Sequence, residues 1–198
     1  MAVHMIVLAA GFSTRYGKNK LLVPFLGKPL YLHVVDELSE IQKIKRDNAT
    51  LTVVTQYQKI FQEMQERKVP VVYNNHSDDG ISSSLQTGLQ SAMSGIKDKT
   101  EKQYFCFFVG DQPYLQQNTI EKFLDGFIKR GKGMGCLKWE DRTGNPVIFS
   151  EEYTDELMKL TGDVGGKKIL KAHSEDVYYY KVRNKMELLD IDRPKNSL

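Results

Sequence analysis

Residues 5–22 read MIVLAAGFSTRYGKNKLL, and this stretch decides the fold. Met5 to Ala10 is an apolar run short enough for a buried strand, and Gly11 ends it where the chain must turn sharply. Around the turn, the small residues Ala9, Ala10, Gly11 and Ser13 let backbone N–H groups approach an anion, and such groups in a turn form a concave site for phosphate oxygens. Gly17 permits a second turn. Arg15 then offers a planar fork of donors, and Lys20 a compact charge on a long stem, two ways of meeting phosphate. A glycine, a serine and a lysine after a strand also occur in ordinary surface turns, so the loop needs support from the rest of the chain.

Working outward, the apolar runs Leu51 to Thr55, Val69 to Tyr73, Tyr104 to Val109, Gly135 to Trp139, Pro146 to Phe149 and Val177 to Val182 read as further strands. Helical patterns separate several of them. Leu30, Val34, Val35, Leu38 and Ile41 recur at helical spacing after Pro29; Ile81, Leu85, Leu89 and Ala92 do so in the next segment, and a third pattern runs from Asn118 to Lys129. Strand, helix, strand order with continuous apolar strands predicts an α/β fold, a mostly parallel sheet with helices on both faces. Ligands bind such a sheet at the carboxyl ends of its strands.

The chain has 198 residues and 40% hydrophobic content, enough to bury about 70% of its unfolded surface in one core without disulfide or metal staples. Residues 1–198 are therefore expected to form a single domain. Lys43 to Thr50 and Ser94 to Gln103 read as surface connections rather than interdomain linkers. A net charge of +3, from 28 basic residues spread along the chain, argues against nucleic acid or a membrane as partner. Cys106 and Cys136 sit in apolar strand patterns without C-x-x-C spacing and are expected to be buried, reduced thiols. With no signal-like N-terminus and no apolar run of membrane length, the expected location is the cytoplasm. His4, His33, His76 and His173 have no metal or triad partner at recognisable spacing and are expected to be structural or solvated.

Three further segments carry chemistry. The strand ending at Val109 leads through Gly110 to Asp111 in FFVGDQP, which puts a carboxylate at a strand end; Mg²⁺ is usually held by one or two carboxylates plus substrate phosphates. A turn aspartate near a proline serves loop geometry equally well. Gly80 to Leu89, GISSSLQTGL, opens a helix that Ser82, Ser83 or Ser84 is able to cap. Near the end of the chain LLDIDRP, Leu188 to Pro194, places Asp190 and Asp192 on one face of an extended segment. The loop itself is neither G-x-x-x-x-G-K-[ST] nor G-x-G-x-x-G.

The loop resembles the LAAGxSxRxGxxK signature of the nucleotidyltransferases related to the molybdenum cofactor guanylyl- and cytidylyltransferases, matching at Leu8, Ala9, Ala10, Gly11, Ser13, Arg15, Gly17 and Lys20. The resemblance runs from Val7 to Pro194 with elements in the family's order, and implies a Rossmann-like nucleotidyltransferase fold. It implies nucleotide binding by Leu8, Ala9, Ala10, Gly11, Ser13, Arg15 and Lys20, catalytic roles for Lys20, Arg15 and Asp111, and a nucleobase contact at Gly80, Ser82 and Ser83. Asp111, in a GD-x-P element, and Asp192, in one similar to D-I-D-T-P, would hold the metal, Mg²⁺ or Mn²⁺, with Asp190 as the other candidate. Gly144 to Val147 resembles G-H-P-V with Asn145 in place of histidine, and Leu160 to Leu170 resembles L-x-G-D-x-G-A-R-x-L-L with Gly166 and Lys167 in place of Ala-Arg. These assign Asn145, Asp163 and Lys167 to the acceptor, although Asp163 also reads as a helix cap, and lysine lacks the arginine fork.

Ala10, where the guanylyltransferase branch typically has glycine, implies CTP as the nucleotide. The expected acceptor is molybdopterin carrying molybdenum, and the expected product serves a molybdenum hydroxylase such as xanthine dehydrogenase in purine breakdown, with transient contact to the apoenzyme. The alternatives are a sugar or polyol phosphate acceptor, or a non-catalytic carrier of the finished cofactor.

Overall fold

The computed structural model describes residues 1–12, 19–45 and 48–191. In chain order the elements are β1 (Ala2–Ala9), the short strands β2 (Pro24–Phe25) and β3 (Lys28–Pro29), α1 (Leu32–Lys45), β4 (Ala49–Thr55), α2 (Gln58–Glu66), β5 (Val71–Tyr73), α3 (Ile81–Ser94), β6 (Gln103–Val109), α4 (Gln117–Arg130), β7 (Met134–Trp139), β8 (Arg142–Ser150), α5 (Thr154–Met158), α6 (Lys167–Ala172) and β9 (Val177–Lys181). Short 3-10 turns stand between several of them, among them Lys20–Leu22.

Seven strands form one sheet in the order β5-β4-β1-β6-β8-β7-β9. β1 lies between β4 and β6, parallel to both. Its alternation sends Val3, Met5, Val7 and Ala9 into one core and Ile6 into the other, which is why a strand covered on two faces needs a continuous apolar run. The first core packs Val34 and Leu38 of α1, Ile60 and Met64 of α2, and Ile120 and Phe123 of α4 against the sheet. The opposite core packs Leu85 and Leu89 of α3, Leu157 of α5 and Ile169 of α6 against Val54, Phe105, Phe107 and Phe149. Full burial of each such side chain contributes about 1.5–3 kcal/mol before chain entropy is counted. Cys106 and Cys136 are free, buried thiols, as expected.

The mostly parallel α/β sheet is as the sequence predicts, with one strand reversed. β8 runs antiparallel to β6 on one side and to β7 on the other. It also starts earlier than the apolar run at Pro146, because Arg142–Asn145 pairs with the end of β7 or sits in the adjoining irregularity between Cys136 and Leu137. Among the described residues, no helix is long and apolar enough to cross a membrane.

Candidate functional site

The carboxyl ends of β1, β4 and β6 meet at one rim of the sheet, and Lys20 and Asp111 meet there. Lys20 Nζ donates to Asp111 Oδ2 at 2.7 Å, and the two side chains are only 14% and 17% exposed. Local structure fixes both. Asn19 caps the Lys20–Leu22 turn by accepting from Leu21 N, and Leu21 is buried. That turn lies against Gly110: a Cβ there would stand 3.3 Å from Leu21 Cδ2 and from Tyr31 Cβ, so a side chain at residue 110 would press the turn away by a few tenths of an ångström. The Gly110 N–H bonds Leu8 O at 3.1 Å, which holds the start of the Asp111 turn against β1.

Three neighbours of the loop were not evident from sequence. Thr55 Oγ1 donates to Ala9 O (3.0 Å), Gln56 Nε2 to Ala10 O (2.6 Å) and Tyr57 OH to Gly11 O (2.7 Å). The stretch TQYQ after β4 carries no motif; its only signal was polar residues at the end of an apolar strand next in order to β1.

The serine segment is fixed differently from the capping that its sequence allows. Gly80 precedes α3 with φ +90°, a conformation that L side chains rarely adopt, and α3 has no side-chain cap. Ser83 Oγ donates to Gly80 O (2.9 Å), and Asn74 Nδ2 donates to the hydroxyls of Ser83 and Ser84 (both 3.0 Å). Ser82 is buried, and its N–H donates to Gly162 O at 3.2 Å. A Cβ on Gly80 would stand 2.4 Å from Gly162 C, so the segment around residue 80 and the loop at 162 are docked on one another.

That loop opens onto a cavity of about 570 Å³ that brings Asn145, Asp163 and Lys167 together. Leu8, Phe107, Val109 and Val147 supply apolar wall, and Lys168 and Lys171 add charge beside Lys167. Leu8, expected with the nucleotide residues, thus also lines the space that holds the expected acceptor residues. Asp163 does not head a helix directly, since α6 begins at Lys167 after Gly166. A larger groove of about 780 Å³, lined by Asp36, Glu40, Lys43 and Arg67, contains none of the expected site residues.

Ser13, Arg15, Gly17 and Asp192 lie outside the described residues. Asp190 is described: Gln112 Nε2 donates to its Oδ1 at 2.8 Å, and Ile191 N donates to Asp111 O at 3.0 Å, so the segment leading to Asp192 lies beside Asp111. Among the described residues no three His, Cys, Asp or Glu side chains cluster as a metal cage. A single strand-end carboxylate with a second acidic segment docked beside it fits a hard divalent cation of the kind that takes its other ligands from substrate phosphates and water.

Known proteins share this fold. The profile of the MobA-like NTP transferase domain matches residues 5–177. A probable molybdenum cofactor guanylyltransferase of Pyrococcus horikoshii is 27% identical over 161 residues, covering 79% of this chain and 72% of that protein. The bifunctional protein GlmU of Acinetobacter baylyi is 28% identical over 157 residues, 76% of this chain, which spans only 31% of GlmU. The crystal structure of Rv0371c from Mycobacterium tuberculosis superposes with a TM-score of 0.74 at 21% identity, covering 98% of this chain and 94% of that one. A complex of Rv0371c with manganese superposes with a TM-score of 0.69 at 22% identity, covering 92% and 89%.

Proposed function

We propose that this chain, which belongs to the MobA-like NTP transferase family, transfers CMP from CTP to the terminal phosphate of molybdopterin carrying molybdenum. An oxygen of that phosphate attacks the α-phosphorus of CTP; the bond from the α-phosphorus to the oxygen bridging to the β-phosphate breaks, and pyrophosphate leaves with its electron pair. The products are molybdopterin cytosine dinucleotide and pyrophosphate. The substrate supplies the nucleophile, so the protein's task is positioning and charge stabilisation.

In this reading Lys20 neutralises charge growing on the α-phosphate, and Arg15 with the loop N–H groups of Ala10 and Gly11 holds the β- and γ-phosphates. Asp111, with Asp192, would hold Mg²⁺ or Mn²⁺, which when bound offsets phosphate charge. Gly80, Ser82 and Ser83 would lie along the nucleobase. Asn145, Asp163 and Lys167 would receive the acceptor, with the product passed to a molybdenum hydroxylase in transient contact.

The observation that carries the proposal is the shared cavity of Asn145, Asp163 and Lys167, which adjoins Leu8 at the root of the loop. The name of the Pyrococcus relative supports the molybdenum cofactor as acceptor, and Ala10 supports CTP over GTP. A second reading, a sugar or polyol phosphate as acceptor, draws on the three lysines of the cavity, whose charge suits any phosphorylated acceptor. The closely held Lys20–Asp111 pair speaks for catalysis over a carrier role.

Pyrophosphate release tests this, with Mg²⁺, molybdenum cofactor, and CTP, GTP, ATP or UTP in parallel. Release with CTP alone supports the full reading; release chiefly with GTP moves the base preference. Release only when sugar or polyol phosphates replace the cofactor establishes the second reading, and silence with every pair removes catalysis.

A further inference from the structure

We infer that Gln56 and Tyr57 are positioning residues for the nucleotide loop: from the end of β4 they turn the carbonyls of Ala10 and Gly11 to one side and so aim the following N–H groups at the phosphates. The inference rests on the nucleotidyltransferase reading above and adds to it two residues that the loop motif does not contain.

In an extended strand successive carbonyls alternate between the two neighbouring strands. Leu8 O faces β6, where it accepts from Gly110 N, and Ala9 O faces β4, where it accepts from Thr55 Oγ1. Continued alternation would return Ala10 O to the β6 side. Instead Ala10 O accepts from Gln56 Nε2 at 2.6 Å, and Gly11 O from Tyr57 OH at 2.7 Å, so three carbonyls in succession are held from the β4 side. In a planar trans peptide the C=O and the next N–H point opposite ways. The N–H groups of Ala10, Gly11 and Phe12 are thereby turned away from β4, toward the side where β6 delivers Asp111. Successive N–H groups facing one way form an anion-binding concavity.

The tethers are themselves anchored. The Thr55 hydroxyl accepts from Tyr57 N at 3.1 Å while donating to Ala9 O, and Thr55 O accepts from Asn74 N at 2.8 Å. The Tyr57 ring packs against the α1–α2 core and its phenol is held protonated, with its pKa raised by burial, so it remains a donor through the neutral range. Ala10 and Gly11 bring little or no side chain of their own to fix their carbonyls, and Gln56 and Tyr57 supply that restraint.

The test uses the purified full chain with Mg²⁺, inorganic triphosphate as the probe of the phosphate site, and each of the four nucleoside triphosphates. Tyr57→Phe removes one oxygen and keeps the ring; Gln56→Ala removes the amide donor; Gln56→Glu puts a carboxylate against Ala10 O. Loss of one such hydrogen bond predicts weaker triphosphate binding and a higher nucleotide KM by about threefold to tenfold, with Gln56→Glu the worst. The acceptor KM and the melting temperature of Tyr57→Phe stay at wild-type values, which a merely structural role would not produce. Triphosphate affinity within twofold of wild type in all three variants overturns the inference alone. A wild-type protein that binds neither triphosphate nor any nucleotide overturns the proposed function, and the inference with it.

Discussion

Lys20 Nζ and Asp111 Oδ2 stand 2.7 Å apart, although 91 positions separate the two residues. The pair joins the turn that follows the loop to the end of the strand beside it, adding an ionic link where Gly110 already packs on Leu21. Both charges are held largely out of water, where removing one partner matters more than at the surface. Asp111→Asn keeps the shape and removes the charge. Its kcat is expected to fall by about 10²- to 10³-fold, with the melting temperature changed by only about 2–5 °C. Lys20→Met should cost a similar factor, and the double variant should lose less than the product of the two, because in the proposed mechanism both act on one phosphate centre. Steady-state kinetics beside thermal melts check this, and near-normal turnover in Asp111→Asn removes the metal assignment.

The docking of Gly80 on Gly162 gives a second expectation. Gly80→Ala would drive a Cβ to 2.4 Å from Gly162 C at a φ of +90°, whereas at Gly162, with φ +65°, nothing lies within 4 Å of an added Cβ. Gly80→Ala should therefore destabilise by about 2–4 kcal/mol, and Gly162→Ala by only about 1 kcal/mol from backbone strain. Denaturant titration of both variants decides it; equal losses would mean that the contact between the two segments does not matter.

At the cavity, Lys167, Lys168 and Lys171 form a cationic wall along α6. Lys167→Ala is expected to raise the acceptor KM about tenfold while leaving the nucleotide KM within twofold, since an exposed charge-assisted contact contributes about 1–1.5 kcal/mol. Raised salt should weaken acceptor binding in the wild type and less so in the variant. A rise in nucleotide KM instead would move Lys167 to the triphosphate.

His4 supplies a pH dependence at the opposite end of the sheet. It is buried, stacked on Phe105, and hydrogen-bonded through Nδ1 to Thr50 Oγ1 (2.9 Å) and through Nε2 to Gln103 Oε1 (2.8 Å). Burial lowers its pKa from 6.5, with the Gln103 bond opposing in part. The folded state thus favours the neutral ring: its contribution is complete above the unfolded value and is lost as pH falls through that value toward the folded one. Stability should decline between about pH 7 and about pH 5, and His4→Asn should flatten this slope. Melting temperatures of both proteins across that range measure it, and parallel curves would remove His4 as the cause.

Both thiols should be inert in the native protein. Cys106 is fully buried, with its pKa pushed far up by burial; Cys136 is pushed up to about 12, burial outweighing the opposing charges of Lys167 and Lys138. With so little thiolate near neutral pH, alkylation should follow unfolding and not precede it. Mass spectrometry after native and denaturing alkylation reads this directly; native labelling of either cysteine contradicts the burial.

How much of this was legible depended on whether a signal was local. The seven strands of the large sheet and the helices α1, α3 and α4 follow from apolar periodicity, whereas the two-residue strands β2 and β3 carry no such pattern, and Asp111 alone reads equally as a turn residue. The reversal of β8 was not read, because apolar runs carry no direction; its one local sign was the short connection at Glu140–Asp141, too brief for a crossover between parallel strands. α2 was missed because only Ile60 and Met64 of its nine residues are buried, leaving a faint pattern in a polar segment. Gln56 and Tyr57 act through contacts 46 positions away in the chain, and the Gly80–Gly162 approach spans 82 positions of sequence. No spacing rule reaches that far.

The reversed strand has a consequence for how such a protein can change. Because β8 runs against its neighbours, its beginning rather than its end reaches the rim where β6 finishes, and Asn145 arrives there from the side away from β1. The sheet is thereby divided in inheritance: one half carries the loop, its tethers and Asp111, while the other carries Asn145 and leads to Lys167. On the proposed reading, substitutions at Asn145 or along α6 can reshape the side of the cavity opposite Leu8 while the loop of β1 and its tethers from β4 stay as they are.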